Sequence, residues 1–394
     1  MTVYQNILVI NLMQIGDLML TTPVLGALRK AYPQARLTLL ADTRWRDLVE
    51  CNPHVDRCLF MDKKGADKGW RSLWCFIGKV RAEKFDLVIN LHRNERASAV
   101  AAFSGAKKIV GYSKPLFALF FDQTLQNPSI AHHVGWGPLG MFPPHKYVPG
   151  WEHQVHAHLQ VLRETLGIEP FDGGLEMVLS EENQQKADRL WQEHFAPEDK
   201  VIAFNIGASW ETKRWLDRYF AECADRLVEQ GYKIAFFGGP MDKSIVEKCI
   251  GQMVHKDSSC LHIFTGQVSL AVLAGLLRHC SLMLTTDSGP MHIGVAMNLP
   301  VITMFGASPV PGFYPYDGRS VLLKSPEKCH PCGIHKCPRE GAENLACMKK
   351  IPVPVVMHFV EDLLAEYQGQ PAYKLPLHTG NYQCRVIELT KGEF

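Results

Sequence analysis

Short apolar, β-branched runs alternate with helix-length amphipathic segments along nearly the whole chain. The runs in the first half are Ile7–Ile10, Leu37–Leu40, Cys58–Met61, Leu87–Leu91 and Lys108–Val110. Those in the second half are Val201–Ile206, Lys233–Phe237, His262–Phe264, Leu282–Thr285 and Val301–Phe305. Several are apolar without alternation, as in parallel strands covered on both faces. Helical periodicity marks Leu18–Ala31, Trp151–Leu166, Leu216–Gln230, Leu270–His279, Met291–Met297 and Pro354–Gln368. Such alternation predicts parallel sheets with right-handed crossovers. It restarts near residue 200, after the polar stretch Ser180–Lys200, which places a boundary between about residues 168 and 185. The expected division is 1–175, 176–353 and a carboxyl-terminal helix and tail over 354–394. The expected fold class is α/β, with two Rossmann-like, doubly wound domains facing a central cleft and ligands at the carboxyl ends of the strands.

Composition narrows the class. The 394 residues are 46% hydrophobic and 21% charged, the balance of a soluble globular protein. No apolar run reaches the ~18–20 residues of a membrane span, and the first residues lack the basic region of a signal peptide. A cytoplasmic protein is expected, whose twelve cysteines are reduced or bind metal. Net charge is +2, but residues 1–150 hold 19 Lys/Arg and 11 Asp/Glu, against 23 and 29 in the remainder. The basic half either meets an anionic partner, such as a phosphorylated glycolipid or a membrane surface, or reflects ordinary scatter. The stretch from Ser113 to Gly150, rich in Phe, Pro, Gly and His, either packs over the first domain or lies against an acceptor. Near-neutral charge and the lack of a nucleic-acid motif disfavour a nucleic-acid partner. The absence of GxGxxG disfavours a nicotinamide cofactor.

Candidate chemistry falls at predicted strand ends. Gly16 and Asp17 follow the first strand. Asp17 there acts as a general base toward a hydroxyl, or it caps the helix. Arg93 and Arg96 follow the strand at Leu87–Leu91, where they bind acceptor phosphate or are solvated. After Leu282–Thr286 comes Asp287-Ser288-Gly289-Pro290-Met291-His292. Pro290 suits a first helical position, and the free amides of that helix start suit a diphosphate. The loop Gly207–Trp215 brings Ser209, Lys213 and Arg214 to another strand end, where a cation would neutralise a departing phosphate. Gly238-Gly239-Pro240-Met241-Asp242 is a tight turn that contacts a nucleoside or is only a turn. Cys329, Cys332, Cys337 and Cys347 are spaced for structural zinc or an iron–sulfur cluster, or they are a loop of free thiols.

Ile15-Gly16-Asp17 with Thr21, Thr22 and Pro23, the loop Gly207–Trp215, Thr286 to His292, and Phe305-Gly306-Ala307-Ser308-Pro309 together resemble glycosyltransferase family 9. That is the ADP-heptose:lipopolysaccharide heptosyltransferase family, and the resemblance spans roughly residues 5 to 350. It implies a GT-B fold and an inverting transfer that requires no metal or other cofactor. It implies that Asp17 deprotonates the acceptor, and that ADP-heptose sits against the second domain. There Ser209 and Lys213 meet the diphosphate, and Asp287, Ser288, Gly289 and His292 form the other wall. Family members often carry an acidic residue after the glycine turn that meets the ribose; here Asp242 occupies that stretch. The implied acceptor is the lipid A-core glycolipid, which brings peripheral contact with the inner membrane. Another nucleotide-sugar on the same fold is the nearest alternative, and a non-catalytic nucleotide-binding module is a more distant one.

Overall fold

The computed structural model describes residues 3–113, 116–126 and 152–389. The chain divides into two compact units, the first ending at Val178 and the second running from Leu179. Most of the stretch from Ser113 to Gly150 lies outside the described residues.

The first unit holds β1 (Asn6–Ile10), β2 (Arg36–Asp42), β3 (Arg57–Met61), β4 (Leu87–Asn90), β5 (Lys108–Tyr112) and β6 (Gln123–Leu125), in the spatial order β3-β2-β1-β4-β5-β6. The second holds β7 (Val201–Asn205), β8 (Lys233–Phe237), β9 (Leu261–Ile263), β10 (Leu282–Thr286), β11 (Val301–Phe305), β12 (Val321–Lys324) and β13 (Arg385–Glu388), in the order β13-β12-β11-β10-β7-β8-β9. Every pairing is parallel; Ile7, for example, lies opposite Leu37 on one side and Leu87 on the other. The central strands are buried on both faces, which explains their unbroken apolar runs. Each unit is thus doubly wound α/β, as the periodicity predicts.

Three departures have local causes. The helix expected over Leu18–Ala31 is two helices, Ile15–Met19 and Thr22–Ala31. Pro23 opens the second and cannot donate into the first. The Thr21 and Thr22 hydroxyls donate to the carbonyls of Asp17 at 2.9 Å and Met19 at 2.8 Å, taking acceptors that amides of a continuing helix would use. The polar stretch after Ser180 is the helix Glu181–His194. Its start is capped by Ser180 Oγ, which accepts from the Asn183 amide at 3.2 Å. Only Ala187 is buried in it, lying where a Cβ on Gly275 would collide with it, so its periodicity is too weak to read.

The carboxyl-terminal segment is part of the second unit. Val353–Glu366 buries Val356, Val360 and Leu363 in that unit's core. The chain then crosses the sheet end, where the Ala372 amide donates to the Cys280 carbonyl at 2.9 Å and Asn298 Nδ2 to the Leu375 carbonyl at 3.1 Å. It finishes as β13 beside β12. No helix among the described residues is long and apolar enough to cross a membrane.

Candidate functional site

In each sheet the winding direction reverses at one point: between β1 and β4 in the first unit, and between β10 and β7 in the second. The loops leaving neighbouring strands there diverge to opposite faces and leave a crevice at the carboxyl ends. Most of the candidate residues follow these four strands; Asp242 follows β8 and the cysteines follow β12.

In the first unit β1 runs into Asn11. This buried amide accepts from the Met13 amide at 3.0 Å and donates to Thr21 Oγ1 at 2.5 Å and to the Asp17 carbonyl at 3.2 Å. The Asp17 backbone is thereby fixed. Asp17 lies three residues after the N-cap, Gln14, so it stands within the first turn and is not the cap itself. Gly16 precedes it in the same turn.

Further residues hold this turn from below. Trp45 Nε1 donates to the Met13 carbonyl at 3.0 Å, and Lys63 Nζ donates to the Leu12 carbonyl. Lys63 also lies 3.2 Å from Asp42, which Arg44 grips in bidentate fashion at 3.0 and 2.8 Å. Burial raises the Asp42 pKa, but the bonds from Arg44 and Lys63 outweigh it and hold the carboxyl below its usual range. Burial pushes the Lys63 ammonium down, with Asp42 opposing.

β4 repeats the device. Asn90 accepts from the His92 amide at 3.2 Å and donates to Ser98 Oγ at 3.0 Å, setting the turn that carries Arg93. Burial lowers the Arg93 pKa, and the nearby Tyr112 and Asp17 pull it back up. Asp17 and Arg93 thus stand within electrostatic reach of each other. Beneath them Tyr112 Oη and His158 Nδ1 are 2.8 Å apart, and burial holds both His92 and His158 down to about 3, hence neutral. Arg96 is not placed with these groups. It braces the loop before Gly69, donating to the carbonyls of Asp67 and Lys68, the latter at 2.7 Å.

In the second unit β7 ends in Asn205, which donates to Thr285 Oγ1 at 3.1 Å and Ser288 Oγ at 2.8 Å. It ties β7 to the turn Asp287-Ser288. The helix Gly289–Ala296 starts with Pro290 in its first turn and no side chain capping its first amides. Asp287, 5% exposed, faces Lys213 Nζ at 3.0 Å, an ion pair whose angles are not those of a hydrogen bond. His292 is buried with Nδ1 unpaired. Burial lowers it to about 4, Asp287 opposing and Lys213 adding, so the ring is neutral at physiological pH.

Asp242 joins the same edge. It closes the turn after β8 by accepting from the Gly239 amide at 2.8 Å. It packs so closely on Gly207 that a Cβ there would collide with the carboxylate. The Gly207 carbonyl in turn accepts from Thr286 Oγ1 at 2.7 Å. Burial raises the Asp242 pKa, against the Gly239 amide and Arg214. Ser209 is exposed on its loop.

The four cysteines named for a metal are neighbours. Burial raises Cys332 and Cys347, and the surrounding thiols raise both further. Yet among the described residues no three His, Cys, Asp or Glu side chains gather as a metal-binding group. Cys337 Sγ accepts from the Leu345 amide at 3.3 Å, and Cys347 is buried beneath Gly306. Cys329, Cys332, Cys337 and Cys347, offered as a structural metal site or as free thiols, thus stand near one another without forming a ready metal-binding group.

Sequence reading missed Asn11, Asn90 and Asn205, each 1% exposed. A single amide ending an otherwise apolar run was the available signal. It also missed the Asp42–Arg44–Lys63 network and Trp45, whose role depends on contacts across strands.

The family model for glycosyltransferase family 9 (heptosyltransferase) matches residues 142–342. Lipopolysaccharide heptosyltransferase 3 of Escherichia coli K12 is 26% identical over 301 residues, covering 74% of this chain and 80% of that protein. The crystal structure of a family 9 glycosyl transferase from Veillonella parvula superposes with a TM-score of 0.78 at 30% identity, covering 93% of this chain and 99% of that one. The ADP-heptose lipopolysaccharide heptosyltransferase II of E. coli shares the fold, with a TM-score of 0.71, 19% identity and coverage of 92% and 100%. Two doubly wound units with a carboxylate after β1 and an uncapped helix start after β10 are accordingly those of a glycosyltransferase, and the chain belongs to glycosyltransferase family 9, the heptosyltransferase family.

Proposed function

We propose that the protein transfers a heptose from ADP-heptose to the inner core of lipopolysaccharide, inverting the anomeric centre without a metal ion. The observation that carries this is the division of chemistry between the switch points: a carboxylate within electrostatic reach of a half-buried guanidinium in the first unit, and a cation at an uncapped helix start in the second. Asp17 takes the proton of the acceptor hydroxyl as its oxygen attacks the anomeric carbon. The bond from that carbon to the diphosphate oxygen breaks on the opposite face. ADP leaves with the bonding electron pair, its charge met by Lys213 and by the amides of Ser288 and Gly289. His292, neutral, contributes hydrogen bonding and no charge. Asp242 is assigned to the ribose, Ser209 to the diphosphate, and Arg93 to an anionic group of the acceptor. The cysteines take no part in this transfer.

The similarity to lipopolysaccharide heptosyltransferase 3 and to the ADP-heptose lipopolysaccharide heptosyltransferase II of E. coli supports this donor and acceptor. Titration of the whole protein with ADP, UDP, GDP and NAD, followed by calorimetry and thermal shift, tests it. ADP is expected to bind and raise the melting temperature most. Preference for UDP or GDP would overturn the ADP-heptose assignment and keep the transferase. Silence toward all four would favour a non-catalytic module.

A cytoplasmic location with peripheral membrane contact belongs to the same reading. Trp70 and Trp74, one turn apart, are exposed beside Arg71 and Lys79, and Leu119 is 81% exposed nearby in sequence to the exposed Phe120. Trp74 and Phe120 both pack on Phe103, with ring centroids 5.0 and 5.9 Å away. Aromatic rings flanked by cations suit an anionic bilayer surface. The protein is expected to co-sediment with vesicles containing phosphatidylglycerol, and a Trp70→Ser, Trp74→Ser, Leu119→Ser variant is expected to stay in the supernatant. Equal sedimentation of both would remove this face from the contact.

A further inference from the structure

The cysteine-rich segment takes no part in the proposed transfer, yet it is fastened at four points to the loops that neighbour the donor residues. The Thr212 hydroxyl donates to the Ile334 carbonyl, and the Gly333 amide donates to the Ala307 carbonyl at 2.9 Å. His330 Nδ1 is bonded to the Gly306 carbonyl. The His335 ring stacks on Trp210 with centroids 4.0 Å apart and planes inclined by 29°. Trp210 and Thr212 precede Lys213 by three residues and one, and Gly306 and Ala307 follow β11, the neighbour of β10.

Trp210 is the hinge of this arrangement. Lys213 Nζ lies 4.9 Å from the Trp210 ring centroid as well as 3.0 Å from Asp287. An ammonium over an indole face is held by the ring quadrupole. A ring fixed by stacking holds it in one place, whereas a ring free to rotate does not. We propose that the loop Cys329–Cys337 is a wall of the donor site, and that His335, stacked on Trp210, is a positioning residue that holds Lys213 where the departing diphosphate needs it. This deepens the donor reading above and rests on it. His335 is itself exposed, so its substitution removes the stacking partner without opening the core.

The test is calorimetric binding of ADP to wild type, His335→Ala and His335→Phe, with steady-state kinetics on the same proteins. Loss of the stacked ring is expected to weaken ADP binding and raise the donor KM by about threefold to tenfold. The change in kcat is expected to be smaller, because Lys213 itself remains. His335→Phe restores a stacking ring without a titrating nitrogen and is expected to recover most of the affinity. A purely structural loop would show no such recovery. Equal ADP affinity in wild type and His335→Ala overturns the inference while leaving the donor site standing. Wild type that prefers UDP or GDP overturns only the ADP-heptose reading, and the same comparison with that nucleotide then decides the role of His335. Wild type silent toward every nucleotide overturns both.

Discussion

Asp17→Asn is expected to lower turnover by about 10²–10⁴-fold, the usual contribution of a general base, with ADP affinity unchanged. The amide is nearly isosteric and cannot take the acceptor proton. The fold of the turn survives, because Asn11 and Thr21 hold the Asp17 carbonyl and not its side chain. Initial rates on a truncated lipopolysaccharide acceptor, beside calorimetric ADP titration, measure both. Turnover near wild type would remove Asp17 from the base role; lost ADP binding would mean that the first unit contributes to the donor site.

Lys213→Ala is expected to weaken ADP binding and to lower kcat by about 10²–10³-fold, the scale of one lost electrostatic contact to a developing anion. It also leaves Asp287 buried with no counter-charge, and breaking such a pair costs roughly 3–5 kcal/mol where both ions are dry. The true figure is smaller here, since the Lys213 side chain is 21% exposed. The double variant Lys213→Ala, Asp287→Asn separates the two effects. Removing both charges is expected to recover melting temperature and not ADP binding. If ADP affinity is unchanged in the single variant, the diphosphate lies elsewhere.

The inferred role of His335 bears on the same cation. Lys213 is set by a carboxylate on one element and an indole on another. Its position then depends on a loop more than a hundred residues further along the chain, so substitutions in Cys329–Cys337 are expected to register as donor-binding defects.

Much of this was readable from residue order. Parallel strands buried on both faces must be apolar throughout, which together with the apolar residues of the edge strands β3 and β9 made ten of the thirteen strands readable. The Asp17 turn, Asp287 to His292 and the Gly207 loop were visible because a strand end followed by Gly, Ser or Pro and a helix start is a local pattern. β6, β12 and β13 were not: they are short, and β13 is half polar, because an edge strand has one face in water. The helix Glu181–His194 hid because it buries a single alanine.

Two doubly wound sheets and the strand ends that carry the chemistry follow from residue order alone, since both depend on periodicity within a few residues. Which strand ends meet is settled only by packing in three dimensions. Strand order brings Asn205 to Ser288 and Asp242 to Gly207, and it leaves Arg96 bracing a loop while Arg93 lies near Asp17. It also fastens the cysteine loop to Trp210. Those relations join residues tens to more than a hundred positions apart, and they are set by sheet winding and side-chain packing, which no local pattern records.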